Sequence, residues 1–171
     1  NIKGKLPILP MKKGSFDRTT REIRNKMISL GLNETLSYIL INDKEVKQFT
    51  NDDFEPLKLL DPMSEDRNTL RYSMIPSMLK VFKYNIAHDT KDVSIFEMGK
   101  VFEKIGEEYK ETMMLSALMT GEYYLGLNKK QVNFYMIKGV AEEILDYLGY
   151  AGRYSFVQDE TKLPKEMHPG Q

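Results

Sequence analysis

Three carboxylates stand close together in the chain, on either side of a proline and a serine. Asp61 precedes Pro62 and Ser64, and Glu65 and Asp66 follow them. Carboxylates that gather after a strand can hold Mg²⁺ or act as general acids. The same residue types form turns, in which Asp and Ser side chains accept hydrogen bonds from nearby backbone N–H groups. The turn is the favoured interpretation, and magnesium chemistry is the alternative.

Two further charged residues could belong to a binding site or to an internal ion pair. The planar guanidinium of Arg71 could bind a carboxylate or a phosphate, or it could pair with Asp61 or Glu97 inside the fold. Glu97 lies between Phe96 and Met98, and a carboxylate among apolar neighbours needs a partner to stay charged. A buried pair and an edge position are both open for Glu97.

Several other kinds of active site lack the residues they need. The chain has no cysteine, which excludes disulfides, thiolate metal sites and a cysteine nucleophile. Its two histidines, His88 and His168, have no second histidine at the spacing of a zinc site. His88 ends a predicted helix, where a capping role is favoured over catalysis. The P-loop and Rossmann glycine patterns are both absent from the sequence, so neither phosphate-binding motif is available.

Composition and charge narrow the class of protein further. Of 171 residues, 41% are hydrophobic and 29% are charged, which is typical of a globular chain with one core. Lys and Arg total 25, as do Asp and Glu, so no net charge attracts nucleic acid. No apolar run is long enough to cross a bilayer, and we expect a soluble, cytoplasmic protein without a membrane partner. Basic residues share one face of the first predicted helix, where solvation is favoured over phosphate binding: Arg18, Arg21, Arg24 and Lys26.

The spacing of apolar residues predicts four helices and a series of strands. Residues 1–14, rich in proline, glycine and lysine, are expected to form an extended arm. The helices are expected at residues 17–30, 42–49, 75–87 and 133–148. The strands are expected at residues 35–41, 57–60, 93–98, 100–102 and 112–120, and around residues 154–156.

The strand pattern predicts an α+β domain with an antiparallel sheet flanked by helices. Gly99 interrupts one apolar run and indicates a bulge or a close backbone approach. Residues 112–120 are apolar on both faces, which predicts a central strand in a sheet covered on both sides. Residues 123–130 combine tyrosines and lysines; a loop is favoured there over a stacking platform for RNA.

Five segments of the sequence, taken in chain order, match the motifs of one family. The first is the turn Gly31-Leu32-Asn33-Glu34-Thr35, and the second joins residues 59–66 (LLDPMSED) to residues 70–79 (LRYSMIPSML). The third is residues 93–102 (VSIFEMGKVF), and the fourth is residues 134–140 (FYMIKGV). The last is the tripeptide His168-Pro169-Gly170. In this order the five segments resemble the beta subunit of bacterial phenylalanyl-tRNA synthetase.

This resemblance implies that residues 15–171 form the class II synthetase-like core domain of that subunit, with the last strands of the core missing. In this family the domain is not catalytic, and Glu97 stands in the strand where a catalytic relative would place an ATP-holding arginine. The resemblance implies a catalytic alpha subunit as partner, in an assembly of two alpha and two beta chains. That subunit would hold ATP and Mg²⁺, with no cofactor in this domain, and tRNA would bind the intact enzyme.

The resemblance also implies roles for particular residues. The helix at residues 17–30 corresponds to the interface helix of class II enzymes, so Ile23, Met27 and Ile28 are the expected contacts between subunits. The motif positions expected to have structural roles are Pro62, Ser64, Arg71, Pro76, Glu97, Gly99, Lys138, Gly139, His168, Pro169 and Gly170.

Two other functions remain as alternatives to the assembly domain. One is a self-sufficient enzyme that binds Mg²⁺ and a nucleotide through Asp61, Glu65, Asp66 and Arg71. The other is a free-standing RNA-binding module that uses the basic face of the first helix.

Overall fold

The computed structural model describes residues 14–50, 55–157 and 166. The predicted N-terminal arm, apart from Gly14, lies outside these residues, as do His168, Pro169 and Gly170. No helix in the described ranges is long and apolar enough to span a bilayer.

The centre of the fold is a long antiparallel hairpin. Strand β4 (Val93–Ile105) and strand β5 (Glu108–Thr120) pair without a break from Val93 opposite Thr120 to Ile105 opposite Glu108. Gly106, with φ of +61°, turns the chain between them. The two strands predicted at residues 93–98 and 100–102 are therefore one strand, in which Gly99 keeps its place opposite Met114 and forms no bulge.

Strand β5 lies at the edge of this sheet within the described residues, contrary to the prediction of a central strand. A short strand, β1 (Asn33–Glu34), pairs with β4 on its other side in parallel, so the order is β1-β4-β5. Ala117 and Met119 pack against one hydrophobic cluster and Leu118 against another, on the opposite face. The apolar pattern of residues 112–120 correctly indicated that both faces of the strand are covered. It contains no information about which strands lie beside it in the sheet.

Helices cover the two faces of the hairpin. Helix α1 (Ser15–Ser29) and helix α4 (Phe134–Tyr147) pack on one face around Phe96. Helix α3 (Ile75–Ala87) packs on the other. All three were predicted to within two residues at each end, because helical periodicity is a local signal.

A short helix, α2 (Asp43–Val46), begins as predicted at Asn42, whose side chain accepts a hydrogen bond from the Lys44 N–H at 2.9 Å. The helix ends three residues before the predicted Phe49, which has a positive φ of 57° that no helix can continue.

The strands predicted at residues 35–41 and 57–60 are wrong over most of their length. Only Leu40–Ile41 form a strand, β2, which pairs with β3 (Thr69–Leu70). The intervening chain crosses from one sheet to the other: the Thr35 N–H bonds the Phe96 carbonyl at 2.8 Å, and the Ile39 carbonyl accepts from Arg71 N–H at 2.9 Å. Lys58 makes a single bridge to Thr69.

Two corrections concern the chain on either side of α4. The predicted loop at residues 123–130 is a hairpin of β6 (Glu122–Leu125) and β7 (Asn128–Gln131), turned at Gly126 with φ of +62°. The predicted strand around Tyr154 and Phe156 is irregular, because these rings contact each other and α4. The Tyr154 hydroxyl bonds the carboxylate of Asp146, and the Lys138 ammonium lies over the Phe156 ring.

Candidate functional site

A buried ion pair lies on the same face of strand β4 as Val93 and Ile95. Arg71 Nη1 is 2.8 Å from Glu97 Oε1, and the two side chains are 1% and 2% exposed. A backbone hydrogen bond places Arg71 beside β4: the Arg71 carbonyl accepts from the Phe102 N–H at 2.9 Å. Of the alternatives open to Glu97, the structure shows the buried pair.

The pair is enclosed by further hydrogen bonds. The Arg71 Nε donates to the Lys100 carbonyl at 2.8 Å, and Nη1 also donates to Ser37 Oγ at 2.8 Å. The Ser37 hydroxyl donates to the other carboxylate oxygen, Glu97 Oε2, at 2.7 Å. Both oxygens of Glu97 are therefore used within the fold, which is the condition under which a buried carboxylate stays charged.

Gly99 makes room for the Arg71 guanidinium. A Cβ atom at residue 99 would lie 2.0 Å from Arg71 Nη2 and 3.2 Å from Met74 Cε. Of the two predictions for Gly99, a bulge or a close approach, the structure shows the close approach, which is made by the side chain of Arg71. The glycine and the buried pair thus form one unit.

The acidic segment after residue 60 is built as a turn. The Ser64 side chain caps a 3-10 helix (Glu65–Arg67) by accepting a hydrogen bond from the Asp66 N–H at 3.2 Å. Asp61 and Pro62 are exposed. Within the described ranges, no three Asp, Glu or His side chains gather as metal ligands would.

His88 lies at the end of α3, as predicted. It is the C-cap residue, its ring Nδ1 is 2.7 Å from the Tyr84 carbonyl, and the two rings stack at 4.1 Å. These contacts use the ring locally, at a helix end that favours positive charge.

Ion pairs neutralise much of the basic face of α1. Arg18 pairs with Glu22 at 3.7 Å along the helix. Arg24 Nε lies 2.6 Å from Glu34, and Lys26 lies 2.7 Å from Glu143 of α4. The face is thus a solvated surface with local carboxylate partners.

The three expected interface residues of α1 differ in their exposure. Met27 is buried in the core, and Ile23 is half-buried against it. Ile28 is 52% exposed. Among the other motif positions, Pro76 is buried in the first turn of α3, and the Lys138 ammonium lies 3.3 Å from Glu142.

A cavity of about 470 Å³ lies between α2, α3 and the chain before α2, and sequence reasoning missed it. Ser77 Oγ and Glu45 Oε2 are buried there, and Lys80 Nζ lies 2.7 Å from the Glu45 oxygen. Ser77 has no hydrogen-bond partner among the described residues and is 3% exposed. The only signal in the sequence is a serine between Pro76 and Met78, on the apolar face of a helix.

Ion pairs connect the β6–β7 hairpin to Asp92, the residue that precedes β4. Lys129 Nζ lies 2.7 Å from both Asp92 Oδ2 and Glu122 Oε2, and the Glu122 N–H donates to Asp92 Oδ1 at 2.9 Å. The hydrogen bond from Lys129, with that from the Glu122 N–H, holds the pKa of Asp92 below its ordinary 3.8. The two carboxylates raise the pKa of Lys129.

We expect the hairpin to loosen in acid because of Asp92. A lowered folded-state pKa means that the stabilising contribution is complete above pH 3.8 and is lost as the pH falls through the lower folded value. NMR shifts of the β6 and β7 amides, followed from about pH 5 to about pH 2, should show this loss. Asp92→Asn should weaken the transition, because only the Glu122 carboxylate then remains beside Lys129, whereas Asp61→Asn, an exposed control, should leave it unchanged. An unchanged transition in Asp92→Asn would contradict the assignment.

Comparison with known protein families gives one match over nearly the whole chain. The profile of the phenylalanyl tRNA synthetase beta chain CLM domain matches residues 2–171. The phenylalanine-tRNA ligase beta subunit of Oceanobacillus iheyensis is 38% identical over 162 residues, covering 88% of this chain and 19% of that protein. That of Bacillus subtilis strain 168 is 34% identical over 160 residues, covering 91% and 20%. The chain spans about a fifth of the length of these curated relatives.

Solved structures with a similar fold are class II tRNA synthetases. The pyrrolysyl-tRNA synthetase PylSc of Desulfitobacterium hafniense matches with a TM-score of 0.60 and 15% identity, over 79% of this chain and 45% of that one. A histidine-tRNA ligase subunit of Alicyclobacillus acidocaldarius matches with a TM-score of 0.55 and 15% identity, over 89% and 44%. At this identity the likeness concerns the fold alone, and it confirms the predicted α+β architecture.

Proposed function

Since the chain belongs to the CLM-domain family of the phenylalanyl-tRNA synthetase beta chain, we propose that it is a non-catalytic core domain that supports assembly with the catalytic alpha subunit. In this proposal the assembly contains two alpha and two beta chains and attaches phenylalanine to its tRNA at the expense of ATP. The alpha subunit holds ATP and Mg²⁺, and the assembled enzyme works in the cytoplasm.

The observation that carries the non-catalytic role is the use made of Glu97 and Arg71. An ATP site needs cationic side chains that face the bound phosphates. Strand β4 contains no arginine, and Glu97 stands where the family resemblance would place one in a catalytic relative. The nearby Arg71 donates to Glu97, Ser37 and the Lys100 carbonyl. Its charge is neutralised inside the fold rather than offered to a ligand.

The α1 contact with the alpha subunit rests on Ile28 as its exposed residue. Ile23 and Met27 support it from inside, because they pack in the core beneath the same helix. Burial of an exposed isoleucine in an interface is favourable by roughly 1.5–3 kcal/mol. Truncation or charge at residue 28 therefore acts on association more than on folding.

The test is the solution mass of the chain, measured by light scattering after size-exclusion chromatography. The chain is run by itself and then mixed with the cognate alpha subunit. We expect co-migration in a defined ratio, and a loss of affinity of about tenfold or more in Ile28→Asp. Ile105→Asp is the matched control, since Ile105 is 55% exposed against 52% for Ile28. Separate migration of the unaltered chain and the alpha subunit would refute the assembly role, and equal effects of both variants would refute the α1 contact.

A further inference from the structure

A second cavity, of about 710 Å³, lies between the end of α1, the β6–β7 hairpin and helix α4. Its volume is in the range of sites that hold small molecules. Leu30, Met136 and Val140 form its apolar part. Its polar lining includes three tyrosines and three carboxylates: Tyr123, Tyr135, Tyr154, Glu142, Glu143 and Asp146.

The wall that the hairpin contributes is held in place. The Tyr123 hydroxyl donates a hydrogen bond to the Leu30 carbonyl at the end of α1. Gly31, with φ of +82°, makes this approach possible, because a Cβ there would lie 3.1 Å from the Tyr123 hydroxyl oxygen. The wall is therefore formed before a ligand arrives, which lowers the entropic cost of binding.

Gly139, in the middle of α4, also lines the cavity. A glycine in a helix interior is destabilising relative to alanine. The usual structural reasons for a glycine are absent here, since its φ is not positive and a Cβ would meet no atom within 4 Å beyond its own helix. The missing side chain leaves space where the helix borders the cavity.

The end of the cavity near the last turn of α4 is electronegative. Among the described residues, no Lys, Arg or His lies within ion-pair distance of the Asp146 carboxylate. The Tyr154 hydroxyl donates to Asp146 Oδ1 at 3.1 Å. Partial burial and this hydrogen bond raise the pKa of Tyr154 above its ordinary 10.0, and the carboxylates of Glu142 and Glu143 raise it further.

The lysines around this end act from outside the cavity. Lys26 pairs with Glu143 at 2.7 Å and Lys138 pairs with Glu142 at 3.3 Å. Neither lysine lines the cavity. Lys130 does line it but precedes α4, and about 18 Å of helix separates the start of α4 from Asp146. The position beside Asp146 is therefore open to a positive charge from a ligand.

The lining selects the class of ligand. A metal ion does not fit, because within the described ranges no three Asp, Glu or His side chains gather as metal ligands would. Aromatic rings attract organic cations through their negative faces, and carboxylates attract the same cations by charge. The apolar part of the cavity can receive a hydrocarbon stem.

We propose that this cavity binds an organic cation, an amine or guanidinium on an apolar stem, with its charge beside Asp146 and its stem along α4 toward Gly139. The site consists of residues of this chain alone, so it goes beyond the assembly function and can fail independently of it. It also gives Gly139 a role that helix packing does not.

The test titrates the full 171-residue chain with n-butylguanidinium at about 150 mM salt and follows the backbone amides by NMR. We expect saturable shifts at Gly139 and Asp146 with a Kd of about 1 mM or below. Mg²⁺ and n-butanol, which lacks the charge, should give no saturable shift at these amides. Shifts that spread over the surface or do not saturate would overturn the site.

A capped glycine-arginine-glycine peptide identifies the source of the cation. Binding of the peptide as well as n-butylguanidinium indicates an arginine side chain of another protein as the ligand. Binding of n-butylguanidinium alone indicates a free small molecule. Absence of binding by both would refute the proposal.

The charge is tested with Asp146→Asn, which should weaken binding about fivefold or more. Glu107→Gln is the control, because Glu107 is exposed in the turn between β4 and β5, and its affinity should stay within about twofold. Tyr154→Phe keeps the ring and releases Asp146 from its hydrogen bond, so affinity should stay the same or rise. Equal losses in Tyr154→Phe and Asp146→Asn would show that Asp146 acts by holding Tyr154 and does not contact the cation.

Gly139→Ala separates binding from folding. The added methyl group takes up part of the cavity, so affinity should fall about fivefold or more, while the melting temperature should stay the same or rise. Unchanged affinity in both Gly139→Ala and Asp146→Asn would defeat the site. Both residues lie outside α1, so binding of the chain to the alpha subunit should persist in both variants, and failure of that binding in the unaltered chain would defeat only the proposed function.

Discussion

Replacement of Arg71 by methionine is expected to lower the free energy of unfolding by about 3–5 kcal/mol. The change leaves the Glu97 carboxylate 2% exposed without its cation, and removes the donor to the Lys100 carbonyl. Removing one partner of a buried ion pair is more damaging than removing both, because the remaining charge is uncompensated. Urea denaturation of the chain followed by circular dichroism measures the change.

The double variant Arg71→Met/Glu97→Met is the matched control for this prediction. It removes both charges and keeps similar side-chain volumes, so we expect it to recover more than half of the stability lost in the single variant. A loss below about 1 kcal/mol in Arg71→Met would contradict the view that the pair is dry and essential to the fold. Equal losses in the single and double variants would place the effect in packing instead of charge.

The buried pair of Arg71 and Glu97 specifies which segments of the chain pack on this face of the sheet. Ser37, Arg71 and the β4 carbonyl of Lys100 come from three separate segments, and the hydrogen bonds are satisfied only when all three segments meet. An apolar contact at the same place would tolerate small shifts between them. The network therefore fixes how the chain before α3 lies on the hairpin, and this placement also forms the wall of the Ser77 cavity.

The sequence predicted part of this arrangement. Glu97 stands among apolar residues, which implied a partner, and Arg71 was one candidate. The choice between Glu97 and Asp61 depends on the backbone bond from the Phe102 N–H to the Arg71 carbonyl. That bond is a contact between distant segments, and no local pattern of residues encodes it.

The fold shows the same division between local and distant information. The helix Ile75–Ala87 agrees with its prediction at both ends, because its stripe and its N-terminal proline are local signals. Residues 35–39 look like a strand but cross between two sheets, where their partners change within five residues. The hairpin at Glu122–Gln131 was missed because its second strand, Asn-Lys-Lys-Gln, has no apolar alternation.

The surroundings of the acidic segment after Leu60 and of Ser77 were the least predictable part of the structure. The acidic residues after Leu60 were visible in the sequence, but their lack of ion-pair partners depends on which cations the fold brings near. Ser77 gave only a weak signal, as a serine on the apolar face of a helix, because a hydroxyl can be recognised as unpaired only once its surroundings are known. Unsatisfied groups are properties of the packed structure, and for that reason they identify sites that motifs do not.

The substitution Gly99→Ala is expected to lower the free energy of unfolding by about 3 kcal/mol, although it adds one methyl group. The new Cβ would lie 2.0 Å from Arg71 Nη2, so the guanidinium must move. Movement of a free arginine tip costs little, but this one is held by Glu97 and by the Lys100 carbonyl, each at 2.8 Å. The loss of stability is measured by urea denaturation, as a lower midpoint with an unchanged m-value.

Gly139→Ala in helix α4 is the matched control, because a Cβ at residue 139 meets no atom within 4 Å beyond the neighbouring backbone of its own helix. Alanine there should raise the stability by about 0.5–1 kcal/mol. In an Arg71→Ala background, which lacks the obstructing group, the cost of Gly99→Ala should fall below about 1 kcal/mol. The coupling between residues 99 and 71 is the decisive quantity, since a cost at residue 99 that persists without Arg71 would assign the glycine to strand geometry instead of the buried pair.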